Sequence, residues 1–318
     1  MRQALLLYNP TAGRMPIQLF IGGIIRPLRS AGWKIEVIET ISGRDATRMA
    51  RQAAEEKYDG VFAIGGDGTV GQVATGLMNS NTALAVLPGG TANVWANELG
   101  LYTFDWLHLT ALRKNARLLA RAPVHRVDVG MCNGRPFLLW AGVGLDAEII
   151  RQLEPRPRFE KYIAVPRYVA AGVSAATIWH GMDLHVWNGD ESVDGHYLLA
   201  VATNIRKYAG GIAVLSPDAY IDDGEMDLWL MSGNNFSDAF RHFFDLMRGR
   251  HLNSDEARRL PFRRVRIESD TAFPVEMDGD PAMSGKRVDI TVEKQALNVL
   301  LPPSANRLLK NNSNGKHG

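Results

Sequence analysis

The sequence predicts an α/β domain with a parallel sheet, followed by a mostly antiparallel β domain. Three observations predict it. Apolar strand-like runs alternate with helical patterns through roughly the first 120 residues. Two glycine loops directly follow two of those runs. From about residue 124 the pattern changes to short β-rich runs punctuated by hairpin turn signals.

The first strand is expected at 4–8, where Ala4-Leu5-Leu6-Leu7-Tyr8 is apolar. Further strands are expected at 33–38, 61–64 and 83–87, and helices at 16–30, 45–57, 69–79 and 105–121. Ser42 with Asp45 three residues on reads as a capping box opening the second helix. Val61-Phe62-Ala63-Ile64 runs into Gly65-Gly66-Asp67-Gly68-Thr69, and Val70, Val73, Ala74, Leu77 and Met78 then repeat at helical spacing. That is strand, loop, helix, and the alternation implies crossover connections between parallel strands.

In the second half, strands are expected at 124–130, 136–141, 182–188, 196–203, 225–231, 263–268, 273–278, 287–292 and 296–301. Asn133-Gly134, Asn188-Gly189 and Asp278-Gly279 are hairpin signals. Helices are expected around 159–180 and 236–248, and a polar, frayed tail at 304–318. The domains are placed at 1–123, with 303–318 as a candidate completion, and at 124–302.

The chain has 318 residues, 46% hydrophobic and 22% charged, with a formal net charge of +2. This is globular composition with little pull toward nucleic acid. The single Cys132 excludes an internal disulfide framework and a cysteine zinc cluster, and fits a reducing compartment. The N-terminal apolar run is too short for a signal peptide, and no apolar stretch is long enough to span a membrane. The eight His show no His-Glu-x-x-His spacing, and Gly172-Val173-Ser174-Ala175-Ala176 lacks the last Gly of a nucleophile elbow.

The glycine loops carry the chemistry. A glycine loop at a helix N-terminus offers backbone N–H groups to a phosphate. Asp67 within it is expected to hold a metal ion or a hydroxyl beside that phosphate. Pro88-Gly89-Gly90-Thr91-Ala92-Asn93 follows the run 83–87 and forms a second polar wall, and Asn9 through Arg14 follows the first strand. Ligands of parallel sheets bind at the carboxyl ends of the strands, where these loops lie.

Tyr8-Asn9-Pro10-Thr11-Ala12-Gly13, Gly65 through Thr69, and Pro88 through Asn93 together resemble the diacylglycerol kinase catalytic-domain family, which includes bacterial lipid kinases and is related to sphingosine and ceramide kinases. The resemblance continues through Ala141 to Glu148, Asn204 to Gly211, Pro217-Asp218-Ala219, Asp222-Asp223-Gly224 and Asp278-Gly279-Asp280-Pro281, over most of 4–302. It implies ATP in an interdomain cleft and phosphoryl transfer to a lipid hydroxyl, diacylglycerol or a related lipid. Nucleotide contacts then fall on Asn9, Thr40, Gly65, Gly66, Asp67, Gly68, Thr69, Val70, Gly71, Gly90, Thr91 and Asn93. Asp280 becomes the base, with Asp67 and Asp278 as the other candidate catalytic carboxylates. A Mg²⁺ is implied at Asp223, with the carbonyls of Tyr220 and Glu225. The implied setting is the cytoplasmic face of a membrane, touched peripherally, with lipid and nucleotide as partners, no nucleic acid, and room for a homodimer.

Two main departures from the family pattern stand out, with a smaller one at Val94, where Asp often follows Thr-Ala-Asn. Val70-Gly71-Gln72 stands where an apolar residue, Asn and Glu are usual, and Asp280 stands where Glu is usual. Two rival readings follow. One is an NAD kinase, which shares the Gly-Gly-Asp-Gly-Thr loop and for which Asn97-Glu98 is the candidate ribose pair. The other is a regulator that binds nucleotide or lipid without catalysis. Arg151, Arg156, Arg158, Lys161 and Arg167 among apolar residues form either a membrane-facing surface or a solvated helix flank. The Arg258–Arg266 cluster reads as a strand's solvent face, and Trp95, Trp140 and Trp187 as core or cleft wall.

Overall fold

The computed structural model describes residues 1–10, 12–13, 15–153, 179–189 and 191–310. All but the last two residues of the expected helix at 159–180, most of the basic Arg151–Arg167 segment, Thr11, Arg14 and the last eight residues of the tail lie outside the described residues. Two compact units emerge. The first is Met1–Val129, Ile221–Asp223 and Lys294–Gly318; the second is Gly130–Tyr220 and Gly224–Glu293. The division thus falls later than 123 and earlier than 302, because single strands run through both boundaries.

The first unit contains β1 (Arg2–Tyr8), α1 (Ile21–Ser30), β2 (Trp33–Glu39), α2 (Gly43–Glu55), β3 (Gly60–Gly65), α3 (Asp67–Leu77), β4 (Ala83–Pro88), α4 (Val94–Glu98), α5 (Ala111–Leu119) and the start of β5 (Val124–Cys132). β1 pairs in parallel with β2 and with β3, and β3 in parallel with β4. Every residue of β3 and β4 is buried. A parallel strand covered on both faces loses its polar alternation, which is why these runs read as continuous apolar stretches. α2 opens as its sequence dictates: Ser42 Oγ accepts from Asp45 N at 3.2 Å and Asp45 Oδ2 accepts from Ile41 N at 3.2 Å. α2 packs on α3 so closely that a Cβ on Gly76 would stand 2.5 Å from Thr47 O.

The second unit contains β6 (Arg135–Phe137), β7 (Trp140–Gly144), α6 (Leu145–Leu153), β8 (Met182–Asn188), β9 (Glu191–Thr203), the short pair β10 (Lys207–Tyr208) and β11 (Ala213–Val214), β12 (Met226–Ser232), α7 (Phe236–Met247), β13 (Ala257–Phe262), β14 (Arg264–Met277) and the first part of β15 (Asp280–Leu300). Its strands pair antiparallel in the order β13-β12-β9-β7-β14-β15, with β8 on β9 and β14. Phe137, Val186, Leu228, Ile267, Phe273 and Ile290 belong to its apolar core.

Several elements differ from expectation. β13 hides in sequence because Pro261 and two arginines interrupt it; among the described residues it pairs only with β12, an edge position that tolerates a proline. The runs 263–268 and 273–278 form one strand, β14, with a register shift between Glu268 and Phe273. The runs 287–292 and 296–301 fuse into β15, with Gln295 left-handed at φ 52°. α6 occupies residues read only as a motif. Trp95 and Trp140 are buried, but Trp187 is exposed on β8. Arg258, Arg259, Arg264 and Arg266 do face solvent.

Candidate active site

The glycine loops of the first unit meet at the carboxyl edge of β1, β3 and β4. A Cβ on Gly90 would stand 2.3 Å from Gly66 Cα, and one on Gly13 would stand 2.1 Å from Gly89 O. Glycine is therefore required for loop-on-loop contact, a demand the phosphate argument does not include. Asn9 lies beside the same wall: its N–H donates to Ile64 O at 3.1 Å and its amide to Thr69 Oγ1 at 3.5 Å.

Asp67 differs from expectation. Its Oδ2 accepts from Val94 N at 3.0 Å and its Oδ1 from Trp95 N at 3.0 Å. The carboxylate caps α4 and ties the first glycine loop to the second, instead of pointing at a phosphate-side metal. Burial pushes the Asp67 carboxyl up, opposed by these N–H donors. Asn93 is also turned inward, at φ 53°, with Oδ1 accepting from Gly90 N at 2.8 Å and Nδ2 donating to Gly90 O at 2.9 Å. Thr40 is buried, and its hydroxyl donates to Tyr8 O at 3.2 Å. Val70 is a buried core residue. These three candidate nucleotide contacts, Thr40, Val70 and Asn93, spend their side chains on the fold. Gly68 and Thr91 are exposed, and Gly65, Gly66, Thr69 and Gly90 border the same loops.

The departure at Gly71 and Gln72 has a local explanation. Thr47 on α2 donates to Gln72 Oε1 at 2.8 Å and to Gln72 O at 2.9 Å, so this amide serves the α2–α3 contact. Gly71 O accepts from Thr75 at 2.8 Å.

In the second unit, Asp278 and Gly279 are both left-handed, at φ 53° and 84°, and Met277 pairs with Asp280 across the turn. This is the two-residue hairpin that Asp-Gly favours. Asp278 accepts from Leu138 N at 3.0 Å and from Leu139 N at 2.7 Å, so this carboxylate holds the hairpin to the β6–β7 connection. Asp280, next in the chain, is exposed. The three carboxylates grouped by sequence thus divide into two that accept from buried backbone N–H groups and one that is exposed.

Beneath the turn lies a group that sequence reasoning missed. Glu276 is fully buried, and its Oε2 accepts from Gly279 N at 2.8 Å. Asp146, also buried, accepts from the Tyr208 hydroxyl at 2.5 Å. Burial and the neighbouring Asp146 charge hold the Glu276 carboxyl well above the ordinary range, and burial raises Asp146 too. The one available signal was an acid between Val275 and Met277, in a stretch of β14 where residues 275–277 are all buried.

At the implied magnesium position, the one side-chain ligand, the Asp223 carboxylate, is met by Lys310 Nζ at 3.3 Å, while the Glu225 side chain, which would contribute only its carbonyl, is met by Arg263 at 3.2 Å. Tyr220 has the Arg206 guanidinium over its ring at 5.7 Å. Among the described residues, no three His, Cys, Asp or Glu side chains group as a metal site. Of the NAD kinase pair, Glu98 is buried and Asn97 donates to Ala92 O at 2.9 Å.

Comparison with known proteins accounts for both units. The model of the diacylglycerol kinase catalytic domain matches residues 3–132, and that of the YegS C-terminal NAD kinase beta sandwich-like domain matches 141–301. A diacylglycerol kinase of Bacillus subtilis (strain 168) is 26% identical over 282 residues, covering 88% of this chain and 90% of the relative. A "Probable lipid kinase YegS-like" of Chromohalobacter salexigens is 30% identical over 283 residues, covering 87% and 86%. The solved structure of a diacylglycerol kinase from Bacillus anthracis str. Sterne superposes with a TM-score of 0.72 at 21% identity, over 96% of this chain and 98% of that one, which speaks to the fold alone. With both units matched and a relative at that identity, the chain belongs to the diacylglycerol kinase and YegS-like lipid kinase family.

Proposed function

We propose that this protein is an ATP-dependent lipid kinase, a phosphotransferase that moves the γ-phosphoryl group of Mg-ATP to the hydroxyl of a membrane lipid, diacylglycerol or a close relative. Family membership supports the reaction class. The observation that carries the nucleotide part is the meeting of Gly13, Gly66, Gly89 and Gly90 beside the N-terminus of α3, at the carboxyl edge of a parallel sheet.

Phosphoryl transfer asks for positioning and charge compensation more than for covalent chemistry. Backbone N–H groups of the Gly65–Thr69 loop would receive phosphate oxygens, and Asp67 keeps that loop fixed to the second one. Asp280 is the solvent-facing carboxylate for general-base work: it accepts the proton as the lipid oxygen bonds to γ-phosphorus and the bond to ADP breaks. Mg²⁺ bound with the nucleotide would offset phosphate charge. No step is assigned to a resident ion at Tyr220, Asp223 and Glu225. On this reading the protein meets its lipid by peripheral contact; no described helix is long and apolar enough to cross a membrane.

The test is transfer of labelled γ-phosphate from Mg-ATP to diacylglycerol, monoacylglycerol, phosphatidylglycerol, sphingosine and ceramide in mixed micelles, with NAD as soluble control. A labelled lipid that disappears with Asp280→Ala supports the reading. Labelled NADP, or no transfer despite ATP binding, overturns it.

A further inference from the structure

α7 carries an apolar stripe on its outer face. Phe236, Phe240, Phe243 and Met247 are 37%, 54%, 46% and 44% exposed, while His242 and Leu246 are buried on the opposite side. The stripe's spacing of four, three and four residues is one face of an α-helix. Its rings are continuous: Phe236 and Phe240 have centroids 6.0 Å apart, Phe240 and Phe244 4.6 Å, and Phe243 and Phe244 5.4 Å. Neighbouring elements extend it. β11 and the 3₁₀ turn Arg250–Asn253 pack against α7, and they expose Val214 and Leu252.

The charges beside the stripe are sorted. Asp238 and Glu256 are occupied by Arg241, at 3.1 and 2.6 Å. Arg248, over the Phe244 ring at 5.2 Å, and Arg250 are exposed and form no ion pair with a carboxylate among the described residues. Asp245 is half-buried and Asp255 exposed nearby. Two guanidinium groups with no carboxylate partner among the described residues thus end a stripe of phenylalanine and methionine. A helix lying in a bilayer interface has this composition: the apolar face enters the acyl boundary, while arginines meet anionic headgroups.

We propose that the outer face of α7 docks this protein on an anionic phospholipid bilayer, with Phe240 and Phe243 inserting and Arg248 and Arg250 meeting lipid phosphates. This rests on the lipid kinase reading, under which the acceptor lies in a membrane.

The experiment is co-sedimentation with vesicles of phosphatidylcholine, with and without phosphatidylglycerol, in the absence of nucleotide. Phe240→Ser/Phe243→Ser is expected to weaken binding by about tenfold or more, since two buried aromatic contacts are lost. Arg248→Gln/Arg250→Gln is expected to remove the preference for phosphatidylglycerol. Both variants should keep the wild-type Tm, and the serine variant should phosphorylate a soluble short-chain diacylglycerol at the wild-type rate while slowing on vesicles. Wild-type sedimentation by the serine variant overturns the proposal. So does a wild-type dimer that the serine variant dissociates without any change in vesicle binding. Vesicle binding that depends on the stripe, without phosphate transfer to any lipid, would sink the kinase reading and leave the docking surface standing.

Discussion

Glu276 and Asp146 present their carboxyl groups to one glycine. A Cβ on Gly142 would stand 2.6 Å from Glu276 Oε1 and 2.8 Å from Asp146 Oδ2. Glu276 Oε1 is buried and no N–H or hydroxyl donates to it, so it is placed to carry a proton toward Asp146. Two buried carboxyls in contact cannot both ionise cheaply, and Asp146 has the Tyr208 hydroxyl to favour its charged form. The neutral member is then Glu276, whose other oxygen anchors Gly279 in the hairpin turn.

This pair gives the protein a pH signature. The folded-state pKa of Glu276 is raised, so its contribution is fully present below the unfolded carboxylate value of about 4.3 and is lost as pH rises through the folded value. Stability should therefore decline from mildly acidic pH upward. Glu276→Gln, which keeps a neutral side chain of the same shape, should flatten that decline, whereas Gly142→Ala should cost about 1–3 kcal/mol at every pH by overpacking. Urea unfolding across pH reads both. An unchanged slope in Glu276→Gln would mean the proton is elsewhere.

Asp67 predicts a stability effect at a residue expected to be purely chemical. Asp67→Ala leaves the N–H groups of Val94 and Trp95 without their acceptor. The cost should be about 1–3 kcal/mol, seen as a lower Tm in the absence of nucleotide. Loss of activity with an unchanged Tm would instead return Asp67 to the phosphate side.

Cys132 predicts silence. It is buried, and burial pushes its thiol up to about 12, so almost no thiolate exists at neutral pH. A disulfide reagent should leave the native protein unlabelled and label one equivalent in denaturant. Rapid native labelling would mean that this part of the second unit opens.

The parallel strands, both glycine loops and the Asp-Gly turn were legible because each rests on local chemistry: apolar runs, backbone freedom, a type I′ preference. What sequence could not show is where a polar side chain spends its hydrogen bonds. Asp67, Asn93 and Asp278 stand in phosphate-loop and turn motifs, yet each turns inward to backbone N–H groups supplied within its own unit. β13 was hidden for a related reason, since its strand character comes from pairing with β12 and not from its own residues.

Asp280 should behave oppositely to those braces. It is exposed, so Asp280→Ala should lower Tm less than Asp67→Ala does. As the general base it should nevertheless slow phosphate transfer by about 10²–10⁴-fold. Asp280→Glu should retain part of the rate, because the longer side chain keeps the basic group on the same turn. Asp278→Ala, which strips the acceptor from Leu138 N and Leu139 N, should lower Tm and activity together. Rates and melting temperatures measured on the same preparations separate the two roles. A fully active Asp280→Ala would remove the base from this turn and leave positioning as the main source of catalysis.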